Sequence, residues 1–258
     1  MKKRFDGLAV LITGATGGFG RLAAAAFAEE GARLVLSDRA PAPLESLAQT
    51  LDAECVTLAG DVADPALHRD LVALAEDSFG GLDVAVNNAG IAHPAARLED
   101  ISDEDARAVI EIDLLAVFYA MKAQIPAMTA HAARTGRGAA IVNIASVAGL
   151  AGAPTISVYS AAKHGVVGLT RSAAAENARR GLRVNAVCPA FARTPMVEAG
   201  LLSGEDQAEA ERRLTRGVPM RRVADPAEII PAILFAADPA NSFMTGQTLA
   251  PDGGITAI

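Results

Sequence analysis

Short, continuous apolar runs alternate with longer helical patterns along the whole chain. Residues 8–13 (Leu-Ala-Val-Leu-Ile-Thr) predict a buried strand; a glycine-rich turn and an alanine-rich helix over 21–30 follow, and Gly31 stops that helix. The pattern continues as a strand at 33–37, a helix at 44–51, a strand at 55–59 and a helix at 65–79, with Pro65 suited to its first turn. A strand at 82–86 precedes a long helical pattern over 102–133, which opens on Ser102-Asp103-Glu104-Asp105, a capping residue and an acidic first turn. Strands at 139–145 and 182–187 flank a helix at 157–180. Residues 193–217 are polar and mixed, with short helices expected; a helix at 227–237 and a short strand at 248–250 complete the series. Strands that are apolar without alternation, each followed by a helix, imply a parallel sheet covered on both faces. The expected fold is α/β, three-layered and doubly wound around a mostly seven-stranded parallel sheet. Nothing reads as a linker or a repeat, so one domain over 1–258 is expected.

Composition narrows the function. At 258 residues, 51% hydrophobic and 21% charged, the chain is globular, and a core of this size needs no disulfide or metal. A net charge of −7 repels polyphosphate and argues against nucleic-acid or anionic-membrane partners, though a local basic cleft can still hold one cofactor phosphate. Cys55 and Cys188 lie in apolar runs outside any zinc spacing and read as two buried thiols in a reducing cytosol. His68, His93, His131 and His164 form no metal-spaced cluster, so no metal is expected. The basic start followed by 8–12 imitates a signal peptide, but Asp6 interrupts it, the run is short, and no cleavage site follows. No apolar stretch reaches the ~20 residues of a membrane span. A cytoplasmic protein is expected.

Candidate chemistry begins at Thr13-Gly14-Ala15-Thr16-Gly17-Gly18-Phe19-Gly20, between the first strand and first helix. Glycines there let the backbone approach a pyrophosphate, whose charge the helix N-terminus stabilises. Asp38 ends the second strand, 18 residues after Gly20; a carboxylate there accepts both adenosine ribose hydroxyls and repels a 2′-phosphate. NAD is therefore favoured over NADP. Arg39 leaves alternatives: pairing with that phosphate, stacking on adenine, or facing solvent. Tyr159 and Lys163 stand at i, i+4 on one helix face. A free phenol, with a pKa near 10, is a poor base at neutral pH, and a neighbouring ammonium lowers that value. Tyr159 then becomes a general acid/base for a hydroxyl proton. Ser146, 13 residues earlier at the end of the 139–145 strand, would hydrogen-bond the substrate oxygen.

With Asn87-Asn88-Ala89-Gly90 and the segment from Cys188-Pro189-Ala190-Phe191 through Thr194-Pro195-Met196, five motifs stand in order. The chain resembles the short-chain dehydrogenase/reductase family of the compact, single-domain kind, from Gly7 to Asp252-Gly253-Gly254. More narrowly, the stretch from Met121 to the C-terminus resembles bacterial dehydrogenases of cyclic alcohols and diols. The resemblance implies a Rossmann fold and an NAD-dependent oxidoreductase interconverting a secondary alcohol and its ketone. It implies that Gly14, Thr16, Gly18, Phe19 and Gly20 hold the pyrophosphate, that Asp61 and Val62 flank adenine, and that Asn88, Ala89 and Gly90 lie against the adenosine ribose. Lys163 would hydrogen-bond the nicotinamide ribose and Thr194 the carboxamide, with Pro189 and Phe191 near the ring. His93, Val147, Leu150, Phe191 and Met196 would line a mostly apolar substrate pocket under a lid within 193–217, which suits a neutral small molecule; His93 would hydrogen-bond a second substrate oxygen or stand as a loop histidine. A homo-oligomer, a tetramer ahead of a dimer, follows by the same analogy.

Two positions depart from the family's pattern. Asp113 stands where the family has an asparagine that holds a water relaying protons to the lysine. An ionised carboxylate cannot donate, and its charge should raise the pKa of Lys163 and weaken the effect of Lys163 on Tyr159. Asp113 therefore belongs either to an altered relay or to helix structure alone. Ala190 replaces a glycine and narrows the nicotinamide pocket by a methyl group. Rival readings are an NADPH-dependent 3-oxoacyl-thioester reductase and a catalytically silent NAD-binding protein.

Overall fold

The apolar runs become strands because both of their faces are covered. All five residues of β1 (Ala9–Thr13) and all six of β5 (Ala139–Ile144) are buried. A computed structural model describes residues 3–200 and 206–257. Its remaining strands are β2 (Arg33–Ser37), β3 (Cys55–Thr57), β4 (Val84–Asn87), β6 (Leu182–Val187) and β7 (Thr248–Leu249). They pair in the order β3-β2-β1-β4-β5-β6-β7, every pair parallel.

Nine helices are described: α1 (Gly18–Glu29), α2 (Pro41–Thr50), α3 (Pro65–Phe79), α4 (Asp103–Ile110), α5 (Ala116–Thr135), α6 (Ser157–Asn177), α7 (Pro195–Gly200), α8 (Gln207–Leu214) and α9 (Ile230–Ala237). Alternate residues of β1 serve opposite cores. Val10 and Ile12 pack with Phe27 of α1, Leu44 of α2 and Ile233 of α9; Leu11 packs in the core that holds Leu71 of α3, Met128 of α5 and Val166 of α6. This is the expected three-layer, doubly wound architecture.

A buried polar network pins the middle of the sheet. Asn87 Nδ2 donates to Asn143 Oδ1 at 2.9 Å, Gln124 Nε2 to Asn87 Oδ1 at 2.8 Å, and Asn143 Nδ2 to Thr170 Oγ1 at 2.9 Å. Asn87 and Asn143 are register partners in β4 and β5, so the network ties two strand ends to α5 and α6. Fully satisfied buried amides rigidify their surroundings, here directly beneath Asn88 and Ser146.

Boundaries differ from the sequence pattern where caps and turns decide them. α1 begins at Gly18 rather than 21, inside the glycine turn. α2 begins at Pro41, because a first-turn proline loses no hydrogen bond. The predicted 102–133 helix is two helices joined by a π-helical segment, Glu111–Leu115. A 3-10 turn (Pro226–Glu228) capped by Asp225 precedes α9, which starts at Ile230 rather than 227. α7 and α8 fall in the 193–217 segment, of which 201–205 lie outside the described residues. Cys188 is buried, and burial pushes its thiol up to about 11; Cys55, on the sheet-edge strand β3, is only half-buried, and both are free. Among the described residues no helix is long and apolar enough to cross a membrane.

Candidate active site

The C-terminal ends of β1, β2, β4, β5 and β6 border one cleft of about 360 Å³. In a doubly wound sheet this is the edge where ligands bind. Gly14 starts the turn after β1 at φ +62°, and a Cβ there would stand 2.9 Å from the Ala89 Cα. Thr16, Gly17, Gly18 and Phe19 line the cleft. α1 has no side-chain cap and no acidic residue in its first turn, leaving its N–H groups free for an anion. Gly20 packs against the turn, where a Cβ would fall 2.0 Å from the Gly14 carbonyl.

The next strand end carries Asp38. Thr16 holds its Oδ2 through hydroxyl (2.6 Å) and backbone N–H (2.9 Å), and the Arg39 N–H donates to Oδ1 at 2.8 Å. The carboxylate is thus fixed at one end of the cleft, with exposed Arg39 beside it and Asp61 and Val62 opposite. Asn88, Ala89 and Gly90 also line the cleft. The Asn88 amide donates to the Thr13 and Gly14 carbonyls, both at 3.0 Å, so this side chain braces the glycine turn. An uncapped helix end, a close-approach turn and a fixed carboxylate in one elongated cleft fit a nicotinamide dinucleotide.

At the other end stand Ser146, Tyr159 and Lys163. Ser146 follows β5, two residues past its end, and caps the next 3-10 turn (Val147–Gly149), accepting from the Ala148 N–H at 3.1 Å. Tyr159 and Lys163 lie on the first two turns of α6, the ammonium 5.4 Å from the centre of the phenol ring. Lys163 Nζ donates to the Ile144 carbonyl at 3.1 Å and pairs with Asp113 Oδ2 at 3.0 Å. Asp113 is completely buried in the π-helical segment, and its Oδ1 accepts from the Ile91 N–H at 2.8 Å. Such bulges re-aim side chains at functional sites.

Burial raises the Tyr159 pKa above its ordinary value; Lys163 pulls it down, Asp113 pushes it up again, and contact with Ser146 lowers it. The net direction is upward, a correction to the expectation from Lys163 alone. Burial works to lower Lys163, but Asp113 and Tyr159 outweigh it, so the ammonium is held above its usual range.

Tyr159 and Ser146 also face a second space of about 540 Å³, lined by His93, Val147, Leu150, Phe191, Met196 and neighbours that are mostly apolar. Pro189 and Thr194 line the cofactor cleft, as Met196 does from the cavity's rim. Phe191 lines the cavity, as expected of a substrate-pocket residue. Ala190 borders both, so its methyl group stands at their junction.

The profile of a family described as enoyl-(acyl carrier protein) reductase matches residues 14–256. Cyclohexanol dehydrogenase of Acinetobacter sp. (strain SE19) is 38% identical over 100% of this chain and 98% of its own. The cis-4-hydroxycyclohexanecarboxylate dehydrogenase of Sinomonas cyclohexanicum is 41% identical over the full length of both. The crystal structure of levodione reductase superposes with a TM-score of 0.92 at 34% identity, covering 98% of this chain and 99% of that one. A 3-ketoacyl-(acyl-carrier-protein) reductase from Brucella melitensis complexed with NADH gives 0.89 at 30% identity, over 97% and 99%. The chain belongs to the short-chain dehydrogenase/reductase family. It is an oxidoreductase that interconverts a secondary alcohol and its ketone with a nicotinamide cofactor.

Other lining residues of this short-chain dehydrogenase/reductase escape sequence reading. Gly60, Ile112 and Val197 join the cleft, and Ile156, Leu214 and Thr256 the cavity. Gly17 and Gly60 carried a readable signal, as glycines next to strand ends. The apolar ones carried none, because an isoleucine that lines a cavity reads like one that fills a core.

Proposed function

We propose that this enzyme interconverts a cyclic secondary alcohol and its ketone using NAD, with Tyr159 as general acid/base. The observation that carries this reading is the position of Tyr159 and Ser146 at the junction of the dinucleotide cleft and a mainly apolar cavity. When bound, the nicotinamide ring accepts or supplies the hydride. Tyr159 takes the hydroxyl proton during oxidation and returns it during reduction. Ser146 hydrogen-bonds the same oxygen as its charge changes. The Lys163 ammonium, beside the phenol ring, favours phenolate, while Asp113 holds that ammonium in place from behind. The apolar cavity walls keep water from the reacting carbon.

NAD is preferred because Asp38 presents a fixed negative charge where a 2′-phosphate would fall. Exposed Arg39 beside it does not cancel that carboxylate. The same charge opposes the NADPH-dependent acyl-thioester alternative. Cyclic substrates are supported by the names of the two relatives above, together with an apolar cavity of small-molecule size. Residues 193–217 would act as a lid, since Met196, Val197 and Leu214 border the cavity. Self-association is supported by Phe235 and the fully exposed Phe243, aromatic surface that a subunit contact would cover. The free thiols fit a reducing cytoplasm.

The test is a reduction screen with NAD and NADP over cyclic and linear secondary alcohols. Cyclic alcohols with NAD should give the highest kcat/KM. A preference for linear alcohols or for NADP overturns this reading.

A further inference from the structure

We infer that the C-terminal turn is the wall of the cavity that reads an apolar ring substituent of the alcohol: Ile255 contacts the substituent, and Asp252 is the positioning residue that fixes Ile255. The inference rests on the cyclic-alcohol reading above and specifies its substrate class. After β7 the chain enters a 3-10 turn, Ile255–Ala257, and both Ile255 and Thr256 line the cavity that Tyr159 and Ser146 border. Asp252 is only 8% exposed and uses both carboxylate oxygens inside this turn. The Gly254 N–H donates to Oδ1 at 2.8 Å, and the Thr256 N–H and hydroxyl donate to Oδ2 at 3.0 and 2.6 Å. Burial works to raise the pKa of this carboxyl, but the hydrogen bonds outweigh it and hold it below its usual range. The ionised carboxylate is therefore the form that ties the turn.

The turn is also fastened from outside. At its base the Cys188 N–H donates to the Leu249 carbonyl at 2.7 Å and the Ala190 N–H to the Pro251 carbonyl at 3.4 Å. At its tip Gly253 and Gly254 stand at φ +62° and +91°, where a Cβ would come within 2.7 Å of Val218 Cγ1 and 3.0 Å of Pro219 Cγ. Glycine meets both demands, left-handed backbone and close approach. The Met220 N–H donates to the Gly253 carbonyl at 3.1 Å, and this 218–220 strip follows α8, whose last residue Leu214 also borders the cavity. Ile255 is half-buried on that wall, so a ligand group can still cover the rest of its surface. A cavity of about 540 Å³ is of the size that takes drug-sized molecules, larger than a bare six-membered ring. Among the described residues no lysine or arginine lines it, so a charged substituent finds no fixed cation. An apolar substituent is the complementary group.

The experiment measures Kd by calorimetry on the NADH-loaded enzyme, which binds alcohols without oxidising them. The ligands are cyclohexanol, its 2-, 3- and 4-methyl derivatives and 4-hydroxycyclohexanecarboxylate. At least one methylcyclohexanol should bind about fourfold or more tightly than cyclohexanol, the usual worth of one buried methyl group. Ile255→Ala should erase that advantage. Asp252→Ala should erase it as well, while Asp252→Asn, which keeps an oxygen for Thr256, should retain part of it. A purely structural Asp252 would instead lower Tm and leave the methyl-to-parent ratio unmoved. NADH affinity reports the folding of each variant. Thr256→Val, which removes only the hydroxyl bond to the carboxylate, should reduce the ratio and decides the role of Asp252 if Asp252→Ala does not fold. No advantage for any methyl derivative, an advantage that survives Ile255→Ala or loss of the Asp252 bonds, or tightest binding of the hydroxy acid would each overturn the inference. NAD reduction with the same alcohols is run separately. If none is oxidised, the alcohol reading fails, while the Kd ratios still decide what Ile255 and Asp252 do.

Discussion

The cofactor cleft and the substrate cavity share Tyr159, yet they are built from different materials. The cleft follows the ends of parallel strands, and backbone and short polar groups such as Thr16, Asp38 and Asn88 line much of it. The cavity lies between the loops after β4 and β5, the α7–α8 segment and the C-terminus, and is apolar apart from a few groups including His93. Strand ends are fixed by the sheet and by the amide network beneath them, whereas loops are free to differ between relatives. Chemistry is therefore set by the scaffold and substrate choice by what the loops bring to it.

The strongest way to break this comparison is at the shared residue. Tyr159→Phe removes only the hydroxyl and should lower kcat by about 10²–10⁴-fold, the usual share of a positioned acid/base. NADH affinity, read by fluorescence titration, should fall far less. If kcat persists near the wild-type value, cleft and cavity do not share a proton-transfer group.

A second break confines itself to the cleft. Asp38→Ser removes the carboxylate while Arg39 stays, so NADP should gain on NAD by at least about tenfold in kcat/KM, given that a like-charge contact costs several kcal/mol. Relative rates among alcohols should stay as they were. A change in alcohol ranking would show that the two regions are not separable.

The same division explains what could be read from the sequence. Strands β1, β2 and β6 were legible because each carries a short, mostly apolar run, broken only by Thr13 in β1, Arg33 and Ser37 in β2 and Arg183 and Asn185 in β6. The glycine turn, Asp38, Ser146, Tyr159 and Lys163 were legible because each is a chemically unusual residue at a strand or helix end. The packing of Gly20 against the turn was not legible, because a glycine that admits a phosphate and one that admits a close backbone look identical in sequence. The π-helical segment around Asp113 was not legible, because no residue type in Glu111–Leu115 marks the place where a helix takes in an extra residue. Pro41 at the head of α2 reads as a breaker until its place in the first turn is known.

Asp113 offers the finest test, because it touches the cleft's chemistry without reaching the cavity. Its carboxylate lies 3.0 Å from Lys163 Nζ and opposes the phenolate form of Tyr159. Asp113→Asn keeps an oxygen for the Ile91 N–H but removes the negative charge. The Tyr159 pKa should then fall, because phenolate loses a like-charged neighbour and keeps the ammonium. The Lys163 pKa should fall as well, because Asp113 holds it high against the effect of burial. Oxidation needs phenolate, so the acid limb of its pH–rate profile should move to lower pH, by up to about one unit for the loss of one nearby charge. A purely structural role would instead lower Tm and leave that limb where it was. An unmoved limb, or one shifted to higher pH, would show that the carboxylate does not act on the proton carried by Tyr159.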